Sequence, residues 1–514
     1  MNPWCNRLHY FQVCQASSAG RPSLTDIPGA RVTAATPART SRLAAVLVLL
    51  AGFGTACAHA PTAESPARLD PRAEAFLDTL QRRTFHYFWD LSNPRNGLTP
   101  DRAPSRSFAS IAAVGFALAA YPTGVERGFV TRTQAADRVL TTLRFFWTAP
   151  QGPEPAGRSG YRGFFYHFLD METGARFETV ELSTIDTAIL LAGVLFCQAY
   201  FDRDEPGEVA IRAYADSLYR RVDWQWAQPR PPLVTMGWYP ESGFHTFDWR
   251  GYNEAMLLYV LALASPTHPV APEAWDAWTS TYVWGTFEGY PHVGFAPLFG
   301  HQYSHTFIDF RGIHDDYMRA RGIDYFENAR RGVLSQRDYA IRTPDGWRDY
   351  SDSIWGLTAS DGPADIRLVI DGREREFHTY WARGAAFGEI RDDGTIAPTA
   401  AGSSIAFTPE LSARALVAMR ERYGDSLFST YGFLDAFNPT FTAAVPVQHG
   451  RVVPGLGWID YDYLGIDQGP LLLMTENHRT GLLWRYMRGH PAIILGLRRA
   501  GFTGGWLDEA ALAE

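Results

Sequence analysis

The stretch from Ser183 to Phe201 is apolar nearly all round. A helix without a polar face must be surrounded, by lipid or by other parts of the protein. Its length suits a membrane span, but its Ser-Thr-Ile-Asp start and the interior Gln198 favour burial in a globular core. The chain offers many helical patterns to build that surround. Residues 71–90 carry Phe76, Leu77, Leu80, Phe85 and Phe88 at helical spacing, and 107–121 read as an apolar helix of small residues. Thr131 and Gln134 are spaced as a capping box opening a helix that runs to 147.

Further helices are expected over 208–222, 252–264, 272–284, 313–321, 325–341, 409–423, 470–488 and 491–499, several with Pro in the first turn, where its missing N–H costs nothing. No solenoid period of about 34 or 40 residues is present, so the predicted fold is all-α, a closed toroid of six helical hairpins. Strands are expected to be scarce. The exception is 366–377, where Asp371-Gly372 between alternating segments predicts an inserted β-hairpin.

The amino terminus reads as an export signal. An apolar run from Leu43 to Phe53 follows Arg39 and Arg42, is too short to span a membrane, and leads to Gly54-Thr55-Ala56-Cys57. This resembles a bacterial lipoprotein signal, which implies cleavage before Cys57 and lipidation of its thiol, although Gly54 stands where Leu is usual. Ordinary secretion with cleavage nearby is the alternative, and Val32 is a candidate true start. The predicted organisation is a leader over 1–56, a tether over 57–71 and one catalytic domain over 72–514. The product would be exported to the periplasm or held on the outer membrane as a lipoprotein. Of the four cysteines, Cys5 and Cys14 would leave with the leader, and Cys197 reads as a small buried hydrophobe.

Composition removes several chemistries. The 47 basic residues are all Arg, which excludes a Walker A loop, a pyridoxal Schiff base and a lysine nucleophile. A net charge of -8 disfavours nucleic acid as a partner. His-Glu-x-x-His, Gly-x-Ser-x-Gly and calcium-loop spacings are all absent. His301 and His305 could share a helix face as metal ligands, but no third ligand is evident, so no metal or organic cofactor is expected. Aromatic residues reach 14%, which suits sugar-stacking platforms as well as a large core.

The remaining chemical signal is acids at helix starts and in aromatic loops. Glycoside hydrolysis needs such a pair, one carboxyl protonated for the leaving oxygen and one ionised for water or attack. Glu181 and Asp186 precede or open the buried helix, and Glu254 precedes the apolar run 255–264, where burial would keep it protonated. Asp435 and Asp467 lie in the loops 431–439 and 457–470. Each also has a structural reading, as helix cap or turn, and Asp467 reads as the cap before Pro470.

Six strings then carry a resemblance: Glu181 to Ala188 (Glu-Leu-Ser-Thr-Ile-Asp-Thr-Ala), Gly251 to Ala255, His301 to His305, Ile354 to Pro363, Gly432 to Pro439, and Asp462 to Pro470. Together they resemble the bacterial glucoamylase-like family, which includes the β-1,2-glucanases of glycoside hydrolase family 144. The likeness covers roughly 73–507. It implies an (α/α)6 barrel, export, and hydrolysis of β-1,2-linked glucan, with endo action favoured and anomeric inversion.

By position it implies Glu254 as general acid and Glu181 as first choice of base, with Asp435 and Asp467 behind it and Asp186 as a positioning residue. The candidate substrate-binding residues are Trp238, Tyr239, Tyr252 and Asn253, with His301, Tyr303, His305, Asp309, Arg311 and Trp355. Two alternatives stay open. One is a different glucan-active enzyme on the same barrel: an exo-acting sophorose-releasing hydrolase, an α-glucosidase or a transglycosylase. The other is a non-catalytic glycan-binding lipoprotein.

Overall fold

The computed structural model describes residues 69–511. The leader, Cys57 and most of the tether lie outside the described residues. Helices dominate: α1 (Pro71–Leu91), α2 (Ile111–Glu126), α3 (Arg132–Thr148), α4 (Thr184–Tyr200), α5 (Pro206–Arg220), α6 (Met256–Ala264), α7 (Glu273–Thr279), α8 (Phe299–Phe307), α9 (Asp316–Arg319), α10 (Tyr325–Arg342), α11 (Pro398–Ser403), α12 (Pro409–Tyr423), α13 (Gly465–Thr480), α14 (Leu482–Arg488), α15 (Pro491–Arg499) and α16 (Gly505–Ala511).

Burial divides them into two sets. Helix α4 is buried on nearly every face, as its composition predicts, and the same holds for α2, α6, α8, α11 and most of α13. Helices α1, α3, α5, α10 and α12 bury one stripe each and leave the other wet. The buried helices pack on one another: α2 against α4 and α13, α4 against α6, α6 against α8, and α13 against α8 and α11. Gln302 Nε2 ties α8 to α11 by donating to Ala400 O (2.8 Å) and Ser404 Oγ (2.9 Å). The α2–α4 contact is backbone on backbone. A Cβ at Gly193 would lie 2.1 Å from Gly115 O, and one at Gly115 would lie 2.4 Å from Ile189 O. Among the described residues, no helix is long and apolar enough to cross a membrane.

Several elements depart from the predicted bounds. The helix expected from 252 starts at Met256, because Asn253 Oδ1 accepts from Ala255 N and closes a turn there. The single helix expected over 470–488 is two: Gly481 takes the left-handed conformation (φ 64) and ends α13, and Asn477 Oδ1 accepts from Leu483 N at the start of α14. Pro470 therefore sits inside α13 rather than opening a helix, and Asp467 belongs to its first turn. The segments 272–284 and 313–321 yield only Glu273–Thr279 and Asp316–Arg319, the first giving way to the hairpin Trp284–Phe287/Tyr290–Val293.

Short strands are commoner than expected. The predicted hairpin forms as Ile366–Ile370 against Arg373–Phe377. The rest are mostly two- or three-residue pairings, and three of them immediately precede buried helices: Ala109–Ser110 before α2, Leu182–Ser183 before α4, and Tyr463–Leu464 before α13. These pairings hold helix amino termini in register with neighbouring loops, and that register positions the acids.

Candidate active site

Leu182–Ser183 is the middle strand of a small five-stranded sheet. Phe165 pairs with Ser183 on one side, and Trp238 with Leu182 on the other. The pairing continues one residue further, since His167 N donates to Glu181 O (2.9 Å), while Ile111 N donates to His167 O (3.2 Å). His167 is thereby fixed between the starts of α2 and α4. On the far side the chain must come close: a Cβ at Gly237 would lie 2.7 Å from Leu182 O and 3.2 Å from Glu181 Cγ.

This register brings three titratable side chains together. His167 Nδ1 lies 2.7 Å from Glu181 Oε1, and its Nε2 lies 3.6 Å from Asp186 Oδ2. An ionised carboxylate only accepts, so the contact with an ionised Glu181 puts a proton on Nδ1. Ser183 caps α4 by accepting from Asp186 N (3.2 Å) while its hydroxyl donates to Asp186 Oδ2 (2.5 Å). Burial raises the Asp186 pKa, and His167 and the Ser183 bond oppose that rise. Glu181 Oε2 has no hydrogen-bond partner among the described residues. Glu181, Ser183 and Asp186 line a narrow cleft completed by Ile185, Met236, Tyr239, His245 and Trp249.

Glu254 ends the turn before α6, and Ser304 Oγ of α8 donates to its backbone carbonyl (2.8 Å). Glu254 is 3% exposed, and Oε2 finds no partner among the described residues. Burial, reinforced by the negative charge of Asp186, pushes its pKa up to about 8. Asp186 thus acts on Glu254 electrostatically as well as on His167 by contact.

A second group of acids surrounds the start of α13. Tyr303 OH of α8 donates to Asp467 Oδ1 (3.3 Å), and Asp435 Oδ2 accepts from Asp361 N (2.8 Å). Burial and the nearby Asp467, Asp361 and Asp460 hold the Asp435 pKa well above the carboxylate range. Arg102 meets Asp361 through Nη1 (2.5 Å) and Nη2 (3.3 Å), with Asp101 and Asp462 each 3.6 Å away.

The other candidate residues fall in several places. Trp238 and Tyr239 are half-buried on the strand beside Glu181, Trp238 against Tyr161 (ring centroids 5.3 Å). Tyr252 stacks parallel to Tyr325 and lies 5.0 Å from His301, ring to ring. Asn253 spends its amide on Arg250 O and Ala255 N. His301 and His305 are buried among aromatic rings, and burial lowers each pKa to about 3, so both are neutral. Neither belongs to a cluster of possible metal ligands among the described residues.

Asp309 and Arg311 lie past the carboxyl end of α8, about 13 Å along the helix from its start. There Asp309 pairs with Arg311 and Arg488 and accepts from Trp506 Nε1 through its carbonyl. Trp355 is fully buried. His167, Arg102, Asp361, His245 and Trp249 are site residues that sequence reading did not single out; Asp361 stood inside one of the resemblance strings, and His167 only in an aromatic run.

Comparison with known proteins bears on the family and the fold. A family model described as "Putative glucoamylase" matches residues 246–491. An exo β-1,2-glucooligosaccharide sophorohydrolase (non-reducing end) of Parabacteroides distasonis is 29% identical over 463 residues, 83% of this chain and 58% of the relative. The chain thus spans little more than half of that protein's length. The crystal structure of an endo-β-1,2-glucanase from Chitinophaga pinensis, in complex with sophorotriose and glucose, has a TM-score of 0.71 at 28% identity, covering 84% of this chain and 99% of that one. A Bacteroides uniformis crystal structure described as a "putative glucoamylase" also has a TM-score of 0.71, at 32% identity over 84% of this chain and 98% of its own. Identity at that level across nearly the whole of a solved relative places the chain by descent as well as by shape: it belongs to the glucoamylase-like family.

Proposed function

We propose that the protein is a glycoside hydrolase that cleaves β-1,2-glucan internally, with inversion, on an (α/α)6 barrel whose inner helices are α2, α4, α6, α8, α11 and α13. The observation that carries this reading is Glu254. A buried carboxyl with a pKa of about 8 is neutral at pH 7 and can give its proton to a departing glycosidic oxygen. Glu181 is the partner base. His167 orients it through Oε1, leaving Oε2 to accept a proton from water or from a substrate hydroxyl that relays one. Asp186 is the positioning residue, holding His167 from the other side and raising the Glu254 pKa. Tyr239 lines the cleft with Glu181 and offers a ring face to a glucosyl unit, with Trp238 beside it on the strand that pairs with Leu182.

The substrate class is supported by the relatives from Chitinophaga pinensis and Parabacteroides distasonis. Exo action releasing sophorose is the second reading, favoured by the second of these. We further propose that the chain is exported as a single catalytic domain behind a short tether, with Cys57 as the lipid-bearing residue; metabolic labelling with a fatty acid, abolished by Cys57→Ser, tests this.

The test of function is the time course of products from linear β-1,2-glucan, beside starch, laminarin and cellulose. Endo cleavage predicts early sophoro-oligosaccharides of mixed length from β-1,2-glucan alone. Sophorose as sole early product supports the exo reading, and release from starch but not β-1,2-glucan sinks both.

A further inference from the structure

Three fully buried carboxylates outside the Glu181–Glu254 pair come from loops far apart in the chain. Asp361 follows the strand Ala359–Ser360, Asp435 follows Gly432–Phe433, and Asp460 follows Gly457–Ile459. One oxygen of each lies within 4.8 Å of the corresponding oxygens of the other two. The three loops are already stitched by backbone N–H donors, Asp361 N to the Asp435 carboxylate Oδ2 (2.8 Å) and Asp460 N to Ala436 O (3.0 Å). Asp460 Oδ1 accepts from Tyr461 N (2.7 Å) and Asp462 N (3.3 Å). The opposite oxygens, Asp435 Oδ1 and Asp460 Oδ2, are sealed from solvent and have no hydrogen-bond partner among the described residues.

Charge balance sharpens the point. Asp101 and Asp462 stand at the edge of the same cluster, and Arg102 is shared among Asp361, Asp101 and Asp462. The nearby Arg383 is committed to Asp393 (2.7 and 2.8 Å). Carboxylates packed this closely cannot all ionise without further positive charge.

We propose that Asp361, Asp435 and Asp460 bind a hard divalent cation, with Ca²⁺ the best match. An all-oxygen donor set selects a hard ion. Oxygens each about 2.3–2.6 Å from a common Ca²⁺ span at most about 5 Å, which accommodates the observed spacing. Asp361, His449 and Asp462 form a second cluster, but it includes an imidazole, a softer donor. The cation would clamp three loops beside the start of α13, where Asp467 and Tyr303 meet. This departs from the expectation of no metal, which rested on the absence of ligands at short spacing; here each ligand comes from a different loop.

The experiment strips the full chain with chelator, then measures bound metal by elemental analysis and the melting temperature during titration with CaCl₂, MgCl₂ or MnCl₂. The expected result is one ion per chain, a Tm raised by several degrees with Ca²⁺ giving the largest shift, and affinity lowered more than about 100-fold in Asp460→Asn. Circular dichroism of Asp460→Asn and Asp435→Asn confirms folding. Absence of stoichiometric metal with a Tm unmoved by all three salts would overturn the proposal. So would Asn variants that bind Ca²⁺ as the parent does, or that raise the Tm with no metal dependence in either form, the signature of simple relief of repulsion. Where both variants fail to fold, the parent's metal content and Tm titration decide alone. None of these readouts uses catalysis, so the site stands or falls separately from the hydrolase reading.

Discussion

His167 Nδ1 lies 2.7 Å from Glu181 Oε1, and the opposite face of the same imidazole turns its Nε2 toward Asp186 Oδ2 at 3.6 Å. Glu181, just before the strand Leu182–Ser183, and Asp186, in the first turn of α4, are thus oriented by a histidine that reaches them from the bend between Phe164–Tyr166 and Phe168–Leu169. His167→Gln removes that link. Activity on β-1,2-glucan is expected to fall about 10- to 100-fold through kcat, since small misplacements of a catalytic group carry costs of that order. Glu181→Gln should be at least as severe. Steady-state kinetics check both, and an unaltered kcat in His167→Gln contradicts the positioning role.

Glu254 gives a pH signature. Its pKa is raised from an ordinary 4.5 to about 8, so the proton-donating form declines as pH passes 8 and kcat should fall on that limb. The folded state holds this proton more tightly than the unfolded state. Stability linked to Glu254 is therefore fully present below about pH 4.5, is lost progressively as pH rises, and is gone above about 8. The full loss is at most on the order of 5 kcal/mol. Glu254→Gln escapes it, so the variant's Tm advantage should widen between pH 5 and 8 and then level. Melting curves across that range check this, and a constant difference contradicts it.

Arg102 is 2% exposed among Asp101, Asp361 and Asp462. Arg102→Met keeps much of the volume but leaves buried carboxylates uncompensated, which costs about 3–5 kcal/mol. Chemical denaturation measures the loss, and the deficit should shrink as the pH is lowered enough to protonate these acids.

The α2–α4 contact admits no side chain at Gly193, where a Cβ would lie 2.1 Å from Gly115 O. Gly193→Ala should destabilise by about 1–3 kcal/mol through overpacking. A neutral effect on Tm would mean that the two helices can separate freely.

Local chemistry was legible in the sequence. The capping box of Thr131 and Gln134 forms, and Asp371-Gly372 makes the hairpin with positive φ at both residues (52 and 75), because in each case partners a few residues apart decide the geometry. Helix α12, expected over 409–423, and α15, over 491–499, start at their prolines for the same reason. Pro470 misled because interior position depends on where the preceding strand Tyr463–Leu464 pairs, with Arg102–Ala103. Asp467 then becomes a first-turn acid facing Tyr303 rather than a cap. Asp361, Asp435 and Asp460 meet only through tertiary closure, and His167 reaches Glu181 through strand register. Neither relationship has a signature in spacing, whereas Glu254 showed itself as a polar residue at the edge of an apolar run.

The most direct measurement compares Glu254→Gln with the parent enzyme on linear β-1,2-glucan and on a β-1,2-linked glucosyl fluoride, whose leaving group does not require protonation. With Glu254 as general acid, activity on the polymer falls by at least about 100-fold while activity on the fluoride falls far less. Equal losses on both substrates, or near-parental activity on the polymer, would contradict the account.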